Sequence, residues 1–198
     1  MFNHDLGKPC ESDWETKGIL DGAITYLIGS VENAKDSGIS FRKELKELAS
    51  QKGLKIKFLD PTDKIHGLFE EVGEAQKNIF KLRDEGKYDE LRDFMKKVVR
   101  TDLRCVDLSD FVIAYFDSTI ATCGSWHELF TAILQKKPIL IVMQGGKKKT
   151  PLWVFGIVRH EYIFDNEEQC IEYLANLNNG NIPLGSKWVL ARKQLEKI

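Results

Sequence analysis

The sequence predicts an α/β fold: a doubly wound, Rossmann-like (flavodoxin-like) parallel sheet of four to five strands with an inserted helical pair. Short, continuously apolar runs alternate with amphipathic helical segments, the pattern of a sheet buried on both faces. The length of 198 residues suits one such domain with a substantial core. Glycines, hydroxyls and acids follow the apolar runs, where a parallel sheet carries its ligand loops.

The first strand is "AITYLIG" (23–29). Next, "SFRKELKELASQKG" (40–53) places Phe41, Leu45, Leu48 and Ala49 on one stripe and stops at Gly53, an amphipathic helix with a glycine C-cap. "LKIKFLD" (54–60) is the second strand. The stretch 66–100 reads as two helices broken near Gly86; about 35 residues cannot hold a core alone, so it is an insertion, a lid or an oligomer surface. A further helix over 101–108 leads into the third strand, "DFVIAYFD" (110–117). A helix beginning near Ser125 precedes the fourth strand, "KPILIVM" (137–143), and "NEEQCIEYLANL" (166–177) closes the fold as a helix. The whole reads as a single domain, 1–198, with its helical insertion at 66–100.

A net charge of −1 provides no basic field for a nucleic-acid polymer or an anionic membrane. The lysines of "GGKKKT" (145–150) read as a solvated loop tip. Cys10, Cys105, Cys123 and Cys170 form no C-x-x-C pair, which fits a reduced, cytoplasmic protein better than a disulfide scaffold. The four histidines show no metal-ligand spacing, and no apolar stretch reaches signal-peptide or membrane-spanning character.

"ATCGSWHELFTAIL" (121–134) poses a question about Glu128. Standing three residues after Ser125, it completes a capping box and so can be only a helix starter. The same placement puts a carboxylate at the positive end of a helix after a strand, where α/β proteins build their sites. Around it, Gly29 taken alone is a plain strand-to-helix turn, and neither a dinucleotide fingerprint nor a P-loop is present.

The 100–128 segment resembles the diagnostic block of the nucleoside 2-deoxyribosyltransferase family. The matching pieces are Thr101-Asp102-Leu103, the strand from Asp110 to Asp117, and Gly124-Ser125-Trp126-His127-Glu128-Leu129. "TYLIGS" is similar to that family's first strand, and "KKPILIVMQGG" to the strand after its catalytic helix. The resemblance covers most of 23–176, leaving out the 66–100 helices. It implies that Glu128 is a nucleophile toward C1′ of a 2-deoxyribosyl group, and that Asp102 manages the proton on the departing base. Tyr26, Gly29, Ser30, Asp117, Thr122, Gly124 and Ser125 are the substrate-binding candidates. The resemblance further implies a homo-oligomer and a small deoxynucleoside or deoxynucleotide as partner, with no metal or organic cofactor.

Two positions depart from the family pattern. Thr122 stands where transferases hold an aspartate for the free 5′-hydroxyl; the related deoxynucleoside 5′-monophosphate N-glycosidases have serine there. Ser30 after Gly29 is similar to their phosphate loop, with Arg42 as a further phosphate candidate, and these features together imply a preference for the 5′-monophosphate. Phe130 replaces the glycine usual after Glu-Leu, which alters helix packing. Other residues have plainer readings. Asp107 and Asp110 are caps or turn formers, and Asp117 is a turn residue or a ligand contact. Tyr26 and Trp126 favour packing over base stacking. Trp153 lines the pocket or lies on the sheet's flank.

The expected function is cleavage or transfer at the N-glycosidic bond through a deoxyribosyl-Glu128 intermediate, within nucleotide metabolism. The alternative is a non-catalytic nucleotide-binding or sensing module on the same fold. A third reading is a structural subunit whose 66–100 helices do the work.

Overall fold

Five parallel strands in the order β2-β1-β3-β4-β5 form the centre of the computed structural model, which describes residues 18–63 and 72–190. The strands are β1 (Ile24–Gly29), β2 (Lys57–Leu59), β3 (Phe111–Asp117), β4 (Ile139–Gln144) and the two-residue β5 (Ile163–Phe164). Helices α1 (Ile39–Gln51), α2 (Glu74–Asp84), α3 (Tyr88–Leu108), α4 (Cys123–Leu134), α5 (Leu152–Phe155) and α6 (Glu167–Asn178) connect and cover them.

The apolar runs are continuous because both sheet faces are covered, and side chains alternate between two cores. Leu27, Phe111, Ile113, Leu140 and Val142 face α1 and α6, which supply Leu45, Ala49, Cys170, Ile171 and Leu174. Tyr26, Ile28, Val112, Ala114, Ile141 and Met143 face the other way, against Val106 of α3, Leu129 and Ala132 of α4 and Val154 of α5. At the end of α1, Gly53 takes a left-handed φ of 69° and the Leu54 amide bonds back to Ala49, so the glycine stop forms as expected.

One expected boundary is absent. The helix over 101–108 is not separate: α3 runs unbroken for 21 residues from Tyr88. Leu91, Met95, Val98, Asp102 and Val106 succeed one another at spacings of three or four on a single stripe, so nothing interrupts the helix at residue 100. The break near Gly86 does occur, where Gly86 has φ 70° between α2 and α3. Residues 1–17, 64–71 and 191–198 lie outside the described residues, and with them Cys10 and the start of the 66–100 stretch. Among the described residues, no helix is long and apolar enough to cross a membrane.

Asp107 and Asp110 serve the end of the sheet away from the strand termini that carry ligands. Asp110 accepts from the Ile24 amide at 2.8 Å, tying β3 to β1, and Asp107 accepts from Gln135 at 2.7 Å. Neither caps a helix. Trp153 stands 75% exposed on α5 and is not among the described residues that line the central cavity.

Candidate active site

The strand order reverses between β1 and β3, one neighbour leading to β2 and the other to β4, and a crevice opens there beyond the strand ends. A central cavity of about 170 Å³ occupies it. Tyr26, Gly29 and Ser30 line it from β1 and the following loop; Met95, Val98 and Asp102 line it from α3; and Thr122, Gly124, Ser125, His127 and Glu128 line it from the start of α4. Helices α3 and α4 thus bring Asp102 and Glu128, 26 residues apart in sequence, to one cavity.

The capping box does not form. Thr122, with φ −142° and ψ 109°, is the residue that precedes the helix, and Ser125 lies within the first turn, 4% exposed. The Thr122 hydroxyl donates to the Ser125 hydroxyl oxygen at 2.7 Å. Glu128 is therefore the sixth helical residue, counting from Cys123, and stands beyond the turn over which the helix dipole acts strongly. Its partner comes from the sheet instead: the Tyr26 hydroxyl donates to Glu128 Oε1 at 3.1 Å. Tyr26 is fully buried, and its hydroxyl is held well above the ordinary range, first by burial, then by the Glu128 and Asp102 carboxylates. It stays protonated and therefore remains a donor.

Asp102 is 7% exposed, one helical turn from each of the buried Val98 and Val106. A carboxylate on so apolar a stripe is costly to bury, and the cavity is where it meets polar surroundings.

Several expected contacts resolve differently. Arg42 is no phosphate partner: it is 1% exposed, and its guanidinium donates to the carbonyls of Gly38 at 2.8 Å and Gly29 at 2.9 Å while facing Asp60 at 3.5 Å. It ties the loop after β1 to the loop after β2, which brings Pro61 to the cavity wall. Gly29 lines the cavity, but its glycine is required by packing, since a Cβ there would stand 2.4 Å from the Phe41 ring. Gly124 differs, because a Cβ there meets nothing among the described residues within 4 Å.

Asp117 lies outside the central cavity. Its Oδ1 accepts from the Thr119 amide at 2.8 Å and hydroxyl at 2.6 Å, a turn role. It lines a flanking cavity that meets the central one at Ser30 and Thr122. Above that junction, the Asn33 side chain donates to the Ala121 carbonyl at 2.7 Å, joining the loops after β1 and β3. Trp126 packs, with its ring stacked on Phe116 at 4.0 Å.

Met95, Val98, His127 and Cys123 also line the cavity, although the sequence did not mark them as substrate-binding candidates. Met95 and Val98 precede Asp102 by seven and four residues, so its own helical stripe could have identified them. Among the described residues, no group of three His, Cys, Asp or Glu side chains is placed to hold a metal ion.

The sequence matches no protein-family model and no curated protein. Solved structures do match. A 2-deoxyribosyltransferase from the psychrotolerant bacterium Bacillus psychrosaccharolyticus is 13% identical, with a TM-score of 0.50 over 82% of this chain and 97% of its own. A CMP N-glycosidase from Clostridium botulinum is also 13% identical, with a TM-score of 0.40 over 76% of this chain and 97% of its own. The likeness to the first is one of fold: this chain has the α/β architecture of that transferase.

Proposed function

We propose that this chain is an enzyme that cleaves or transfers at the N-glycosidic bond of 2′-deoxynucleosides or their 5′-monophosphates, with Glu128 as nucleophile. The observation that carries the reading is the pair of carboxylates, Glu128 and Asp102, on one cavity at the β1–β3 crevice, with Glu128 oriented by a buried tyrosine. The fold shared with a 2-deoxyribosyltransferase supports it.

The chemistry is that of retaining glycoside enzymes. A Glu128 carboxylate oxygen bonds to C1′ as the C1′–N bond breaks, and the bonding pair leaves with the base. Asp102 enters this step as the neutral acid, gives its proton to the departing nitrogen and is left as the carboxylate. Water or a second base then attacks C1′, its proton passing to Asp102, and the C1′–O bond to Glu128 breaks. Tyr26 holds Oε1, which orients the carboxylate at the cavity wall. Ser30, Thr122 and the open approach at Gly124 receive the 5′ side of the sugar.

The test is incubation with a panel of 2′-deoxynucleosides and their 5′-monophosphates, with and without an acceptor base, followed by chromatography of the released base. Base release that disappears in Glu128→Gln supports the reading. Binding without release across the panel would favour a sensing module instead.

A further inference from the structure

The loop after β4 and the start of α5 form a surface that the central cavity does not use. No aspartate or glutamate stands between Glu128 and Glu161, and within that stretch Lys147, Lys148 and Lys149 are consecutive and exposed. Among the described residues, none of these three lysines pairs with a carboxylate. Gly145 and Gly146 take positive φ values of 80° and 81°, and Asp165 Oδ1 accepts from the Lys147 amide at 2.9 Å, which fixes the tip. Thr150 and Val154 are buried, but Leu152 is 88%, Trp153 75% and Phe155 42% exposed.

We infer that this tip docks on an anionic lipid surface, with the three lysines against the headgroups and Leu152, Trp153 and Phe155 entering the headgroup–acyl boundary. The chain itself holds the two kinds of group together. Lys149 and Leu152 are three residues apart, so their Cα atoms are at most about 11 Å apart. A net charge of −1 gives the whole molecule no basic field, but attraction to a membrane is local. At physiological ionic strength, charges beyond about 8 Å are largely screened, so acids elsewhere on the surface do not cancel the lysines. Even with Asp165 at its base, the tip keeps an excess of positive charge.

Other partners match only half of this surface. A soluble polyanion would pair the lysines and leave Leu152 and Trp153 in water. An apolar protein groove would cover those two side chains and leave the lysines unmatched. An anionic bilayer presents charge and hydrocarbon together, within about 5–10 Å of depth. An indole suits that boundary, because its ring is apolar and its N–H can still reach polar groups. The lysine stems are apolar as well, and their ammonium groups can stay at headgroup level. Val154 already holds α5 against Leu129 and Ala132 of α4, so docking does not have to fold the segment. The inference is independent of the glycosidic reading.

The experiment is co-sedimentation of the full chain with vesicles of phosphatidylcholine alone or with about 30% phosphatidylserine, at about 0.1 M and about 0.5 M NaCl. At low salt the wild type should partition at least about tenfold more strongly to the anionic vesicles, and high salt should reduce that preference. Two variants separate the contributions. One combines Lys147→Glu, Lys148→Glu and Lys149→Glu; the other combines Leu152→Ser and Trp153→Ser. All five positions are exposed, circular dichroism checks the fold, and Leu152→Gln with Trp153→Gln replaces a misfolded serine pair. Each variant should lose about tenfold or more of the binding to anionic vesicles. Tryptophan emission should shift to shorter wavelength on those vesicles, a change absent in Trp153→Phe. A wild type that binds both vesicles alike or neither, or either variant binding like the wild type, would overturn the inference. Sedimentation equilibrium tests the rival occupant. An oligomer that the Leu152 and Trp153 variant dissociates, with no vesicle binding by the wild type, would make the face an interface between copies and overturn the inference too.

Discussion

The Tyr26 hydroxyl donates to Glu128 Oε1 at 3.1 Å, joining the buried first strand to a helix 102 residues later. Burial and two neighbouring carboxylates keep that hydroxyl protonated, so it remains a donor to Glu128. The arrangement gives Glu128 a chemical partner in place of the capping role its spacing suggested.

Glu128→Ala should lower base release by at least about a thousandfold while leaving the fold intact. The change leaves the buried Tyr26 hydroxyl without this acceptor, so the unfolding free energy should fall by about 1–3 kcal/mol, which a domain of this size survives. Chromatography of released base and calorimetric melting check the two halves. A large drop in melting temperature with full activity in the folded fraction would make Glu128 structural.

Tyr26→Phe removes one hydrogen bond to a charged acceptor, worth about 1.5–3 kcal/mol. If the bond orients the nucleophile, kcat should fall about ten- to a hundredfold with little change in KM. Steady-state kinetics decide it; a rise in KM with unchanged kcat would instead assign Tyr26 to substrate binding.

Thr122→Asp places a carboxylate beside the 5′ side of the sugar in the proposed orientation. Two charges about 4 Å apart repel by about 4 kcal/mol at an effective dielectric near 20. The ratio of kcat/KM for a deoxynucleoside 5′-monophosphate to that for its free nucleoside should fall at least about tenfold. An unchanged ratio would remove Thr122 from the 5′ contact.

Asp60 supplies a pH dependence of stability. Burial, the largest influence, pushes its pKa up, but bonds from Lys46 at 2.7 Å and from Thr62 outweigh it, and the carboxyl sits below its ordinary value. A depressed carboxylate contributes its stability in full above the unfolded pKa, about 3.9, and loses it as pH falls through the lower folded value. Asp60→Asn should therefore destabilise the protein by about 3 kcal/mol at pH 7, because it leaves the buried Arg42 short of its partner. The difference from wild type should shrink below about pH 4. Urea unfolding at pH 7, 5 and 3 measures both, and a difference that stays constant with pH would assign the loss to packing.

The sequence by itself determined the layers of this protein. Its strands are runs of neighbouring apolar residues, from "AITYLIG" to "KPILIVM", and such runs report burial on both faces without knowledge of what covers them. Asp102 and Glu128 stood out as candidates through the resemblance of their segment to a family block, and the fold places both on one cavity. Other features depended on long-range contacts. Arg42 reads as a solvated helical residue or a phosphate ligand until α1 docks and presents it to the Gly29 and Gly38 carbonyls and to Asp60. The partner of Glu128 could not be read from positions 125–128, because Thr122 takes the residue-before-helix position and Tyr26 arrives only when β1 pairs with β3. Periodicity reports which face of an element is apolar. Which polar group stands opposite another is set by strand register and helix docking, over distances in sequence that no local pattern spans.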